Sequence, residues 1–176
     1  MKYFKIIILS IVTLGCSHNT TIRNIRANKT DSMALNNKKV AFVINDSSFP
    51  DSPKVAFGPN TFNFKNLQNV FIDGYKQKFD RTTNKLDFYK NQAPSTGTSY
   101  AFYFYPEFKI KLVNDFWTSG CLVKYKLRIL DGAKVLADES GEYKVTIWNI
   151  TLSKACEEAI EEVFNDVTDR AIARLR

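Results

Sequence analysis

The side chains with the most chemical reach are few and far apart. The chain of 176 residues has one histidine, His18, and three cysteines, Cys16, Cys121 and Cys156. His18 falls in a polar N-terminal stretch outside the hydrophobic body. A histidine triad, a zinc site or a histidine general base therefore lacks its central group. Ser119-Gly120-Cys121 has no nearby base that would create a thiolate, so Cys121 reads as a structural cysteine. Pro94-Ser95-Thr96-Gly97-Thr98-Ser99 lacks the lysine and the glycine spacing of a phosphate loop, and strand-forming residues follow it, so it reads as a plain loop. Glu157, Glu158, Glu161 and Glu162 crowd a helix-forming segment as a solvated charge run. Adjacent helical glutamates diverge instead of converging on a cation or a substrate. No metal set, cofactor motif or catalytic set emerges, and the chain reads as a non-enzyme.

One set of side chains stands out. Glu107, Lys109 and Lys111 alternate with Phe108, Ile110 and Leu112, and Lys124, Lys126 and Arg128 alternate with Val123, Tyr125, Leu127 and Ile129. Period two means strands with one dry and one wet face. It gathers Lys109, Lys111, Lys124, Lys126 and Arg128 on the wet side, with Tyr103 and Tyr105 close by. Such a face suits an anionic lipid, a glycolipid or an acidic protein; the plain alternative is an ordinary lysine-rich surface.

The elements that must position these residues follow from pattern. Lys39 to Asn45 is a nearly continuous β-branched and apolar run, predicting a strand covered on both faces. Val55-Ala56-Phe57 predicts a second, short strand. Leu67, Val70, Phe71, Gly74, Tyr75 and Phe79 recur at helical spacing, predicting a helix over about 63–79. Leu86 to Lys90 predicts a short strand. An antiparallel meander begins near Tyr100, turns at Asp131-Gly132 and returns through Lys134 to Asp138 and again through Gly141 to Asn149, with Tyr143, Val145 and Ile147 inward. Cys156, Ala159, Ile160, Val163, Phe164, Val167, Ala171 and Leu175 form the stripe of a terminal helix from about Ser153, its predicted N-cap. This order predicts an α+β fold, a two-layer sandwich with an antiparallel meander sheet and both amphipathic helices on one face.

The N-terminus says where the chain works. Lys2 and Lys5 precede an apolar run from Ile6 to Leu14 that is too short to cross a bilayer, the pattern of a secretory signal over 1–15. Thr13-Leu14-Gly15-Cys16 resembles a bacterial lipoprotein signal, which implies that Cys16 carries lipid and becomes the mature N-terminus; ordinary cleavage beside an unmodified cysteine is the alternative. Residues 16–38, polar and aperiodic, read as a flexible tether, and 39–176 as a single domain. Without Lys2 and Lys5 the 25 basic residues fall to 23 against 18 acidic ones, so +7 becomes +5. Cys121 and Cys156 then remain in an oxidising compartment, either joined as a disulfide or buried as two free thiols.

The whole pattern resembles small bacterial envelope lipoproteins of the YajG-like and ABC-transport-auxiliary type. The features that carry it are the strand Val40–Asn45 with its Asp-containing loop, and a last strand feeding the terminal helix near Asn149-Ile150-Thr151. The resemblance implies a non-catalytic lipoprotein without cofactors that assists an envelope complex through a protein partner. With Ser17 behind the lipidated cysteine, it also implies the outer membrane, facing the periplasm. An anionic lipid remains a second partner class, and nucleic acid is not one.

Overall fold

Val40, Ala41, Phe42, Val43 and Ile44 are all buried, as a strand covered on both faces requires. The computed structural model describes residues 15–94, 99–115, 118–147 and 151–175. In chain order its elements are β1 (Ser17–Thr21), β2 (Lys39–Ile44), β3 (Lys54–Phe57), β4 (Asn60–Lys65), α1 (Leu67–Phe79), β5 (Lys85–Lys90), β6 (Phe102–Asp115), β7 (Thr118–Asp131), β8 (Lys134–Ile147) and α2 (Leu152–Ala173). The architecture is α+β, with a five-stranded sheet β5-β2-β6-β7-β8 and a three-stranded sheet β1-β4-β3.

The large sheet is mixed, not a pure meander. β6, β7 and β8 form the antiparallel part, and β2 runs parallel to both of its neighbours, β5 and β6. A parallel pair needs a long crossover, which β3, β4 and α1 supply between β2 and β5. Pro106 sits inside β6 without cost because the Phe108 N–H, two residues on, points past the end of β2 to the Ser48 carbonyl (2.8 Å). Pro106 lacks its donor on that same side, where the β2–β6 pairing has already ended at Phe42–Phe104.

Both helices pack on one face of this sheet through aromatic rings. Tyr75 meets Phe42 at 4.1 Å between ring centres, Phe71 meets Phe108 at 5.1 Å, and Phe164 meets Tyr75 at 5.0 Å. Burying each such side chain stabilises the fold by about 1.5–3 kcal/mol. The hydroxyls of Tyr75 and Tyr125 satisfy each other inside this core. Burial also raises the Tyr125 phenol above its ordinary range, so it stays protonated.

Several boundaries differ from expectation. β4 occupies Asn60–Lys65, so α1 starts at Leu67; a left-handed Asn66 (φ 65°) makes the corner and Asp51 Oδ1 accepts the Gln68 N–H (3.1 Å). The return strand is one element, β8, because the Asp131–Lys134 hairpin, with Gly132 at φ 56°, pairs the whole of 134–147 with β7. A bulge leaves Leu136 unpaired there. Tyr143 is 42% exposed instead of inward, whereas Val145 is buried as expected. Thr151, not Ser153, caps α2 by accepting the Lys154 N–H; the Ser153 hydroxyl donates to the Thr21 carbonyl (3.2 Å).

The largest correction concerns the expected tether. Residues 17–21 form β1, which pairs in parallel with β4, and Ile22, Ile25 and Leu35 are core residues. The stretch between them is a strap along α2. The Arg23 N–H donates to Glu157 (2.9 Å), the Arg26 N–H to Glu161 (3.1 Å) and the Asn28 N–H to Asn165 (3.1 Å), while the Thr30 hydroxyl reaches Asp169 (2.7 Å). Glu157, Glu161, Asn165 and Asp169 are four residues apart. Each step rises about 6 Å along the helix, close to two residues of extended chain at about 3.3 Å each, as from 26 to 28 and 28 to 30; the step from 23 to 26 takes three residues. One helix face therefore acts as an acceptor ladder for an extended segment. Two of the four glutamates read as a solvated run belong to it.

Candidate functional site

Cys16 is exposed and its thiol is free. The residue nonetheless has a fixed place. Its N–H donates to Asn60 Oδ1 (3.1 Å) and its carbonyl accepts the Thr61 N–H (3.0 Å), which starts the β1–β4 ladder. His18 follows two residues later with its ring stacked on Phe62, centres 5.0 Å apart. Most of the expected signal, residues 1–14, lies outside the described residues, as do residues 95–98 of the Pro94–Ser99 loop and residues 149 and 150 of the turn into α2.

Cys121 in β7 and Cys156 in the first turns of α2 form a disulfide, with Cα atoms 5.2 Å apart. Both are fully buried. The bond ties the helix to the sheet where the chain leaves it. This placement depends on Cys156 falling on the apolar stripe of α2 and Cys121 on the dry side of β7.

Lys109, Lys111, Lys124, Lys126 and Arg128 do emerge on the outer face of the sheet, in the register Lys109–Lys124 and Glu107–Lys126. The face is less basic than the two strands alone imply, because β8 lays Asp138 and Glu142 beside β7. Lys124 pairs with Glu142 (2.6 Å), and Lys126 and Arg128 both pair with Asp138 (3.2 and 2.8 Å). Partial burial would raise the Asp138 carboxyl, but Arg128 and Lys126 outweigh it and hold the group below its ordinary range. Among the described residues, Lys109 and Lys111 meet no acidic side chain. A shallow depression of about 320 Å³ opens between Lys109 and β8, lined by Glu107, Lys109, Lys124, Lys126, Ser140 and Glu142. Its charges are mixed.

Sequence reasoning missed two polar clusters. On the outer face, Tyr100 covers β2 and donates to Asp87, its hydroxyl 2.6 Å from that of Tyr89. Burial raises the Tyr100 phenol, with Asp87 adding to the effect. Between the helices, the Lys78 side chain has no solvent exposure and meets Asp169 (3.0 Å), Asn165 (3.3 Å) and Asn28. Burial pulls its ammonium below the ordinary lysine range while Asp169 opposes the shift. The signal for Lys78 was present: it sits among the apolar positions of α1, immediately before Phe79. Among the described residues no three His, Cys, Asp or Glu side chains gather to hold a metal ion, and no helix is long and apolar enough to cross a membrane.

No family model matches the chain, and no curated protein sequence matches it. Solved structures do. A protein of the DUF330 family from Xanthomonas campestris superposes with a TM-score of 0.53 at 9% identity, over 90% of this chain and 95% of that one. A hypothetical protein from Chlamydia trachomatis superposes with a TM-score of 0.54 at 13% identity, over 79% of this chain and 98% of that one. At such identities what the chain shares with these two bacterial proteins is their fold.

Proposed function

We propose that this chain is a non-catalytic lipoprotein of the bacterial cell envelope. It is anchored through Cys16, most simply in the outer membrane facing the periplasm, and serves as an accessory or scaffold component of an envelope complex. The observation that carries the reading is Cys16 itself: a free, exposed thiol at the end of a short apolar leader, with the fold starting at the next residue. The buried disulfide is in keeping with an oxidising compartment. Intact-mass analysis of the protein from its native membrane tests the reading. It should show a chain beginning at acylated Cys16, and Cys16→Ser should leave the leader in place or the protein free of lipid. An unmodified Cys16 thiol in the mature protein overturns it.

A second reading, recognition of an anionic lipid, glycolipid or acidic protein on the outer sheet face, is favoured by Lys109, at the depression, and Lys111, neither of which meets an acidic side chain among the described residues. The three cations paired by β8 contribute less, since Glu142 and Asp138 already offset their charge towards an anionic surface. Co-sedimentation of residues 17–176 with anionic vesicles across a salt series tests it. Binding should weaken as salt rises and fall further in Lys109→Gln/Lys111→Gln than in Lys126→Gln.

A further inference from the structure

We propose that the tip of the small sheet, the 57–60 turn with His18 and Phe62, rests in the headgroup layer of the membrane that holds the anchor and so fixes how the domain stands on that membrane. The proposal rests on the lipid-anchor reading above and adds an interaction surface to it.

The first observation is the absence of slack. Cys16 is hydrogen-bonded through both its N–H and its carbonyl to Asn60 and Thr61, at the start of β4. Gly15, the last residue of the leader that the anchor reading removes, packs against the Pro59 carbonyl and marks the side on which the Cys16 end lies. Acyl chains on Cys16 must therefore leave the protein beside the Gly58-Pro59 turn. A 20-residue random tether would let the domain wander on the order of 25 Å from the bilayer. Here the segment that would have been that tether is β1 and the strap.

The second observation is a gradient of burial along one face of the small sheet. Residues 62 and 64 of β4 lie on the same side, opposite His18 and Thr20 of β1 and next to Val55 and Phe57 of β3. Phe64 and Thr20 are buried, Phe62 and Phe57 are half-buried, and His18 is exposed. The His18 ring stacks on Phe62, and Phe57 meets Phe62 edge-on at 6.0 Å. Aromatic surface thus comes into the open as the sheet approaches Cys16. Rings with an apolar body favour the interfacial zone of a bilayer. The anchor brings a lipid surface to this tip whatever protein binds elsewhere, so lipid is the occupant.

The opposite end of the molecule gives an internal reference. α2 has 22 residues, about 33 Å at about 1.5 Å each. Its start meets Thr21 of β1, whereas Met33, 91% exposed, lies beside Ile172 and Leu175 at its end. The test uses the full lipidated chain in phosphatidylethanolamine–phosphatidylglycerol vesicles, with and without brominated acyl chains. Phe57→Trp, Pro59→Trp and Met33→Trp are compared after subtracting the emission of the chain's own two tryptophans. The two tip variants should lose most of their added emission to brominated lipid, and Met33→Trp almost none. Pro59→Trp, in an exposed turn, reports the same depth should Phe57→Trp disturb the packing. Equal quenching at the tip and at position 33, with intact mass showing lipid on Cys16, overturns the docking and leaves the anchor standing. An unmodified Cys16 overturns both.

Discussion

Lys78 is the side chain on which the strap, α1 and α2 converge. It is buried, and Asp169 is its only acidic partner among the described residues, with Asn28 and Asn165 taking its remaining protons. Removing one member of such a pair leaves an uncompensated charge, which costs about 3–5 kcal/mol when both are fully buried. Asp169 keeps 41% of its side chain in solvent, so Asp169→Ala should cost about 3 kcal/mol, the lower end of that range. Chemical denaturation checks this, and adding Lys78→Met should recover part of the loss. The pair also sets an acid limit. Burial would raise the Asp169 carboxyl, but Thr30, Asn28 and Lys78 hold it below 3.8. The unfolded chain then binds that proton more tightly than the folded one. Asp169 therefore stabilises the fold above about pH 4 and ceases to as pH falls through its lowered folded value. A melting series from pH 6 to pH 2.5 should show a shallower acid decline in Asp169→Asn than in the parent chain.

At the scale of elements, two glycines lie against α2, and they should respond oppositely to alanine. Gly141 in β8 faces α2, and a Cβ there would lie 2.8 Å from Val167 Cγ2 and 3.1 Å from Arg170 Nη2. Arg170 is held by Glu139 and Asp166, so it cannot readily move aside. Gly141→Ala should destabilise by about 1–3 kcal/mol, the usual cost of overpacking. A Cβ at Gly74 in α1 would meet Phe164 at 3.4 Å, an ordinary contact, and alanine is the better helix former. Gly74→Ala should therefore stabilise by up to about 1 kcal/mol. The disulfide joins the same helix to β7 across a sequence separation of 35. By chain entropy, its loss in Cys121→Ala/Cys156→Ala should cost about 4 kcal/mol, measured as a fall in unfolding free energy with no change in secondary structure by circular dichroism.

For the molecule as a whole, residues 17–38, ahead of β2, are structural. Cutting them away removes the core residues Ile22, Ile25 and Leu35, of which Ile25 packs beside Gly74 of α1, opens the Lys78 site and removes an edge from the small sheet. A chain beginning at Lys39 should aggregate or bind a hydrophobic dye, while one beginning at Ser17 should melt cooperatively. If the chain from Lys39 unfolds with the same midpoint as the chain from Ser17, the strap contributes nothing. The same rigidity separates this protein from a domain on a leash. On the proposed anchor at Cys16, β1 and the 57–60 turn would set its orientation at a membrane.

The sequence by itself determined the elements whose signal is local. The period of α2, the alternation in β6 and β7, the Asp131-Gly132 hairpin and the apolar run of β2 are each legible within about ten residues, and all are present. It also placed Cys121 and Cys156 on apolar positions, so that their pairing was one of two open outcomes. What it could not carry was anything that depends on a distant partner. Residues 17–35 look aperiodic because their partners are distant: β1 pairs with β4, 44 positions later, and the Arg23, Arg26 and Asn28 N–H groups find acceptors more than a hundred positions later on α2. The outer face looked basic because charge was read strand by strand, whereas Asp138 and Glu142 reach it only through the β7–β8 register. The sequence places Lys78 among the apolar positions of α1, but only folding supplies the Asp169 that answers its charge. Local patterns follow from covalent geometry and side-chain period. Charge pairing, burial and the fate of an unpatterned segment follow from which surfaces tertiary folding brings together.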